Sequence, residues 1–489
     1  MNTFKIYTPT EARTDSSAAV LWDKVTVGEG NAEYRVYVNG ELRETTVHTD
    51  ATITGLEPSQ VCTVFVEAVD SCGNVTAESN PLTVEAKPCS KVISITDFGA
   101  VGDGVRKNTR EIQQAIDACE EDGTVLVPKG VFVTGALFLK SHMTLKIEAG
   151  GVLYGSPDIE DYPVFHYHFE GRQQDCYASL INTPGNEKLE HVTICGGGLI
   201  NANGKILYRK ELDENRGARG RAVCLRYIDH LYLYDISIRQ SPAWCLHLVC
   251  CDHVSMNQIR IYNKFDENGV RYGTHNGDGI DPESCNGMNI FNSMIESQDD
   301  NIAIKSGRDE EGRRFGVPCR NIRITNCRFS HGFGVAVGSE MSGGVFDVLV
   351  QDCVFTDSFS VGSVKNRRGR GNEVARVLYE DIEMVNHNPE YGDCKWFRGA
   401  INIDQFYGVE PFDPTAAEEV TEATPIIRDI IFRDVKLETS AGTAVYICGL
   451  PEMHLQNITL ERVTAKGIEG MKVCNVDGLK IVDCSVVSG

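Results

Sequence analysis

Asp229-His230-Leu231-Tyr232-Leu233, Asp252-His253-Val254-Ser255-Met256, Asn286-Gly287-Met288-Asn289-Ile290, Arg320-Asn321-Ile322-Arg323-Ile324, Phe346-Asp347-Val348-Leu349-Val350 and Arg428-Asp429-Ile430-Ile431-Phe432 are variations on one unit. Each is a polar turn feeding a short strand of alternating apolar and polar residues. Most copies recur after about 20–35 residues, the period of solenoid repeats. One such unit cannot bury its apolar face alone, so successive units must stack. The all-β solution is a right-handed parallel β-helix. Upstream, Asn108 with Glu111 at the third helical position reads as a capping box, and Ile112, Ala115, Ile116 and Cys119 recur at helical spacing. A helix over residues 108–119 is therefore expected to close the open end of the stack. Segments 263–276 and 307–318 interrupt the repeat and are expected as loops on the binding face.

Before the solenoid, residues 1–88 read as a separate β-sandwich. Ala18-Ala19-Val20-Leu21-Trp22, Tyr34-Arg35-Val36-Tyr37-Val38 and Thr63-Val64-Phe65-Val66-Glu67-Ala68 are short alternating strands parted by turns such as Asn39-Gly40. The stretch from Gly55-Leu56-Glu57-Pro58 to Val69-Asp70 resembles a fibronectin type III domain. Ala86-Lys87-Pro88 is the expected linker, which leaves 89–489 for the β-helix. One function foreseen for the first domain is a wall at one end of the binding cleft.

The 489 residues are 42% hydrophobic and 24% charged, a globular composition. No apolar run approaches the roughly 18 residues of a membrane helix, and a net charge of -22 argues against nucleic acid and anionic membranes. Met1-Asn2-Thr3-Phe4-Lys5-Ile6 lacks an apolar leader core. The 18 cysteines are scattered singly in strand-like runs, so free thiols and a cytoplasmic location are expected. His247, Cys250, Cys251 and His253 have the composition of a zinc set, but neighbours on a strand face opposite ways and packing is the better reading. No pattern calls for a metal or organic cofactor, and self-association is left open.

Three carboxylates carry the chemistry. Asp278 lies in Asn276-Gly277-Asp278-Gly279-Ile280-Asp281, and Asp299 and Asp300 lie in Gln298-Asp299-Asp300-Asn301, one coil on. Stacked coils are about 4.8 Å apart, so the acids should crowd and at least one should keep its proton near neutrality. Glycoside cleavage uses such a set: a protonated acid for the leaving oxygen and a carboxylate to activate water. Asp is also a favoured turn residue, and turn capping is the plain alternative.

From about Ile93 onward the chain resembles glycoside hydrolase family 28, the polygalacturonases. Asn276-Gly277-Asp278 is similar to that family's Asn-Thr-Asp motif, Gln298-Asp299-Asp300 to its Asp-Asp motif and His331-Gly332-Phe333-Gly334 to its Gly-His-Gly motif. The stretches 279–285 and 338–344 resemble its bacterial members. The resemblance implies an inverting hydrolase acting on α-1,4-galacturonosyl linkages of pectin-derived oligogalacturonides. Asp299 would be the acid, Asp278 and Asp300 would hold and deprotonate water, and His331 would tune the acid. Inversion implies acids roughly 6.5–9.5 Å apart. Where the family has Arg-Ile-Lys, this chain has Ser363-Val364-Lys365. Lys365 is expected to meet a uronate carboxylate, with the run Arg367, Arg368, Arg370 replacing the missing guanidinium. Asn276, Lys305 and Glu340 are further candidates for substrate binding. Exo release of galacturonic acid is the expected mode. Rhamnogalacturonan or substituted galacturonan hydrolysis, a calcium-dependent pectate lyase and a non-catalytic carbohydrate-binding β-helix stand as alternatives.

Overall fold

The computed structural model describes residues 2–27, 32–208, 217–389 and 395–489. Its first nine strands, from Asn2–Phe4 to Leu82–Glu85, form two sheets. One runs Asn2–Phe4, Val75–Ser79, Val61–Val69, Glu33–Val38, Glu41–Thr46, with Leu82–Glu85 also on Val61–Val69; the other holds Ile6–Tyr7, Ser17–Trp22 and Asp50–Thr54. Alternation in these strands sends Trp22, Tyr34, Val36, Val64 and Val66 inward as one core.

From Val92–Ser94 onward the chain winds into a right-handed parallel β-helix. Among the described residues it comprises a 19-stranded and an 11-stranded sheet that share an apolar interior. Register is kept from coil to coil: Ile280, Ile302, Val335, Gly362 and Ile401 form one inward column of the shorter-stranded sheet. The repeating turn also has a physical basis. Its second residue is left-handed in each copy: His230, His253, Gly287, Asn321, Asp347 and Asp429 all have positive φ. Short polar side chains and Gly tolerate that conformation best.

The helix spans Thr109–Ala118 and buries Ile112, Ala115 and Ile116 against the first coils. The expected capping box is absent. Asn108 makes no side-chain cap and instead accepts from the Val101 N–H at 2.7 Å and donates to the Arg106 carbonyl at 2.6 Å. Pinning the Gly-rich approach loop satisfies its amide better than the helix end does.

One further expectation is corrected. Cys448 and Cys474 are a disulfide, not free thiols; they are register partners on adjacent strands, with Cα atoms 4.7 Å apart. Stacked columns bring like positions within disulfide range even when the sequence separation is long. The N-terminal domain, for its part, docks on the outer face of the 19-stranded sheet. Ala12, Ala19 and Leu21 pack on Tyr232 and Phe291. Ser255 donates to Glu11 at 2.6 Å, Asn257 to Thr52 at 2.9 Å and Arg323 to the Trp22 carbonyl at 2.7 Å. These contacts fall on a different sheet from the one whose strands follow the acid turns. No helix among the described residues is long and apolar enough to cross a membrane.

Candidate active site

The shorter-stranded sheet presents two outward columns. In one, Asp281, Ala303, Ala336, Ser363 and Asn402 are successive register partners or their continuation. In the other stand Glu283, Lys305, Gly338, Lys365 and Asp404. Ala303, Ala336 and Gly338 leave the middle of the floor low, with charges at its edges. Gly338 is required there: its φ is 95°, and a Cβ would lie 2.1 Å from the Lys365 carbonyl oxygen.

The acids enter from turns that precede these strands. Asp278 lies two residues before Ile280 and Asp300 two before its register partner Ile302, so they are equivalent positions on adjacent coils. One oxygen each of Asp278, Asp299 and Asp300 lies within 4.8 Å of the others. The expected separation of 6.5–9.5 Å is therefore not met, because two acids are chain neighbours and the third stacks one coil away. Asn301 fixes the Asp299-Asp300 turn by donating to Ser297 Oγ at 3.0 Å and accepting from the Gly334 N–H at 3.0 Å. Gln298 donates to Thr274 at 3.0 Å, and its N–H donates to the Gly277 carbonyl at 3.1 Å, which clamps this turn to that of Asp278.

Lys365 is buried at 2% exposure and donates to both oxygens of Asp300, at 3.0 and 2.7 Å. Its ammonium also lies 4.4 Å from the Phe397 ring centre and 5.0 Å from that of Tyr407. Lys365 is thus tied to a catalytic candidate, a contact that the sequence reading did not foresee. Lys305 donates to Glu340 at 3.0 Å and lies 3.8 Å from Asp281. Burial opposes its charge, yet Glu340, Asp281 and Asp278 hold its ammonium well above the ordinary range. Glu340 is pushed down: burial is outweighed by Lys305 and Arg370.

Burial raises the Asp300 carboxyl to about 6, with Lys365 pulling it back and Asp299 pushing it up. Burial, then Asp281 and Asp299, drive Asp278 well above the usual carboxylate range. Lys365 therefore makes Asp300 the readier of these two to ionise. The three acids are close enough to share a cation, and the Lys365 ammonium already supplies positive charge at that spot.

Asn276 is a turn holder, with its oxygen accepting from Arg219 at 2.8 Å. His331 is the register partner of Ser297, one coil above the acid turn, with its ring 5.2 Å from that of Phe265. Next to it Gly332 has φ 62°, and a Cβ there would fall 2.2 Å from the Asp299 carbonyl oxygen. The Arg run splits three ways. Arg368 pairs with Glu452, and Arg370 is buried on Asp309 and the Ser339 carbonyl. The Arg367 side chain makes no hydrogen bond or ion pair among the described residues and is half-buried near Arg370 and Arg308. Ser363 is buried and accepts from Asn402 at 2.9 Å. The suspected zinc set does not converge: His247 faces Glu283 at 3.1 Å, whereas His253 faces Asp229 at 2.7 Å.

The model of "Glycosyl hydrolases family 28" matches residues 123–485, which contain every candidate above. The chain belongs to glycosyl hydrolase family 28. This glycoside hydrolase is 27% identical to an exo-poly-alpha-D-galacturonosidase of Dickeya chrysanthemi, over 78% of this chain and 74% of that protein. It is 31% identical to a probable polygalacturonase of Vitis vinifera, over 76% and 73%. Among solved structures, a Yersinia enterocolitica family 28 exopolygalacturonase shares the fold with a TM-score of 0.81 at 19% identity, covering 98% of this chain and 95% of that one. A Thermotoga maritima exopolygalacturonase superposes with a TM-score of 0.66 at 25% identity, over 82% and 93%.

Two features of the family 28 site escaped the sequence reading. Asp281 is fully buried with neither oxygen hydrogen-bonded, and burial raises it to about 8, against the pull of Lys305 and His247. Its signal was its outward strand parity, three residues past Asp278. It keeps its proton at neutral pH in the fold but loses it in the unfolded chain. That contribution to stability is full below about pH 4 and is lost as pH rises through about 8. Asp281→Asn is accordingly expected to raise the melting temperature at pH 8 more than at pH 5, the gain in stability at pH 8 exceeding that at pH 5 by on the order of 3 kcal/mol. Thermal melts at the two pH values check it; equal shifts would mean that Asp281 is ionised in the fold.

The second feature is a hairpin, Val164–Phe169 with Arg172–Tyr177. It leans over the sheet edge, with Phe169 on Trp244 at 4.8 Å and His168 3.7 Å from Glu283. At its tip the Gly171 carbonyl accepts from the Arg308 N–H at 3.0 Å, and a Cβ on Gly171 would fall 3.0 Å from Glu340 Cγ. Arg172 reaches Asp309 at 3.1 Å, the first residue of the helix Asp309–Phe315.

Proposed function

We propose that the enzyme hydrolyses α-1,4-galacturonosyl linkages of oligogalacturonides by single displacement, releasing galacturonic acid from a chain end. The observation that carries this reading is the Lys365–Asp300 pair inside the three-acid cluster. Asp299, the most exposed of the three, protonates the leaving glycosidic oxygen. Asp300, kept ionised by Lys365, takes a proton from water held against Asp278, and that water's oxygen bonds the anomeric carbon as the glycosidic C–O bond breaks. A carboxylate separation this short also suits double displacement. Against that, both Asp300 oxygens are engaged by one ammonium, and burial with acidic neighbours favours the protonated form of Asp278, which makes each a poor nucleophile.

Exo action is supported by the names of the Dickeya and Thermotoga relatives and by the hairpin that leans over one edge of the sheet. Lys305 and Lys365 are engaged by the acids of the site, which leaves Arg367 as the cation there whose side chain has no partner among the described residues. Arg367, whose side chain is unpaired among the described residues and lies near Arg308 and Arg370, suits a uronate carboxylate. Arg367→Ala is expected to raise KM for trigalacturonate about 10- to 100-fold with kcat little changed, the loss of one charged hydrogen bond. Equal loss in kcat would place Arg367 elsewhere in the mechanism. We also infer a fibronectin type III-like first domain, on the strength of its three-stranded sheet packed against a larger one. The proposal is tested by products from oligogalacturonides with chelator present. Saturated monogalacturonate accumulating from the start supports it; mixed oligomers mean endo action, and no turnover points to rhamnose-containing or substituted chains.

A further inference from the structure

The left-handed corner that begins each coil is a single column: Asp122, His142, His191, His230, His253, Gly287, Asn321, Asp347, Arg376, Asp429 and Asn457 all have positive φ, one per coil. Asn, Asp and Gly are the ordinary occupants of that conformation. Four consecutive rungs are instead His, with ring centres 5.1, 4.7 and 4.8 Å apart. Backbone conformation alone does not ask for imidazole at even one of them.

At the C-terminal end of this stack two rungs share one carboxylate oxygen. His230 Nδ1 lies 3.0 Å and His253 Nδ1 2.7 Å from Asp229 Oδ1, and the three groups each offer a ligand atom within 4.8 Å of the others. We propose that Asp229, His230 and His253 form a surface binding site for one divalent transition-metal ion of the zinc, copper or nickel type, separate from the catalytic acids. Ligand atoms on a tetrahedral ion with bonds of about 2.0–2.1 Å lie about 3.3 Å apart. To reach that spacing from Asp229 Oδ1, His230 Nδ1 at 3.0 Å withdraws by about 0.3 Å and His253 Nδ1 at 2.7 Å by about 0.6 Å. Lys188 donates to the other oxygen, Asp229 Oδ2, at 2.9 Å, which leaves Oδ1 as a monodentate ligand and orients it. Two imidazoles and one carboxylate select a borderline ion over calcium or magnesium, which take oxygen sets. Water completes the coordination, since His253 is exposed. Asp229, His230 and His253 begin strands of the longer-stranded sheet, whereas the catalytic acids precede strands of the shorter-stranded one.

The test uses the full chain titrated with zinc chloride by calorimetry and with copper(II) by electron paramagnetic resonance. One equivalent should bind, with hyperfine coupling from two imidazole nitrogens. His230→Asn and His253→Asn put a residue that other coils use at this corner, so the turn is kept; each should weaken binding by about tenfold or more. Asp299→Asn should bind as wild type does, and hydrolysis should be unchanged by His253→Asn. No binding by wild type would overturn the proposal. So would binding that survives in both His variants, or binding abolished by Asp299→Asn, which would put the ion on the catalytic acids.

Discussion

Asp299→Asn is expected to lower kcat on trigalacturonate by about 10²- to 10⁴-fold, the range of a lost general acid, with little change in KM. The side chain keeps its size and can keep the hydrogen bond from the Asp300 N–H, which is 2.9 Å from Asp299 Oδ1. What it loses is the proton for the leaving oxygen. Steady-state kinetics beside a melting curve check this, because the exposed edge of the turn tolerates an amide and stability should hold. A variant retaining more than about a tenth of wild-type kcat would remove Asp299 from the acid role.

The second large effect concerns the residue that sets the charge of the site. Asp300 is held at about 6 between burial, which raises it, and Lys365, which lowers it. If Asp300 is the base, activity rises with pH as it ionises, and the acidic limb of kcat/KM reports an apparent value for the coupled cluster. Lys365→Met removes the lowering influence. The limb is then expected to move to higher pH by about one to three units, with kcat at pH 6 reduced about 10²-fold or more. The variant also leaves a buried carboxylate without its partner, which costs about 3–5 kcal/mol of stability, so rates must be read below its melting transition. Loss of activity with an unmoved limb would mean that Lys365 acts on substrate, not through Asp300.

The fold was legible because its repeat is local. A polar left-handed corner followed by alternation is written into each coil, and stacking leaves one architecture that buries all the apolar faces. The acid cluster was legible for the same reason: Asp278 and Asp300 occupy one register position on consecutive coils. What stayed hidden depends on where long side chains turn. Arg367, Arg368 and Arg370 read as one basic run, but a turn with Gly369 at φ 97° sends them to three destinations. Lys365 read as a carrier of substrate charge, and only the coil spacing shows that it spans back to Asp300. Asp281 was hidden by its neighbour's motif. The disulfide and the docking of the first domain link positions far apart in sequence, for which a periodic pattern gives no signal.

The most direct test of the account is the anomeric form of the first product. Proton NMR of fresh product from trigalacturonate, recorded before mutarotation, should show β-galacturonic acid from the α-linkage, as single displacement by water held at Asp278 and Asp300 requires. An α-anomer appearing first would contradict it and turn one of those carboxylates into a nucleophile, as their spacing within 4.8 Å would then have signalled.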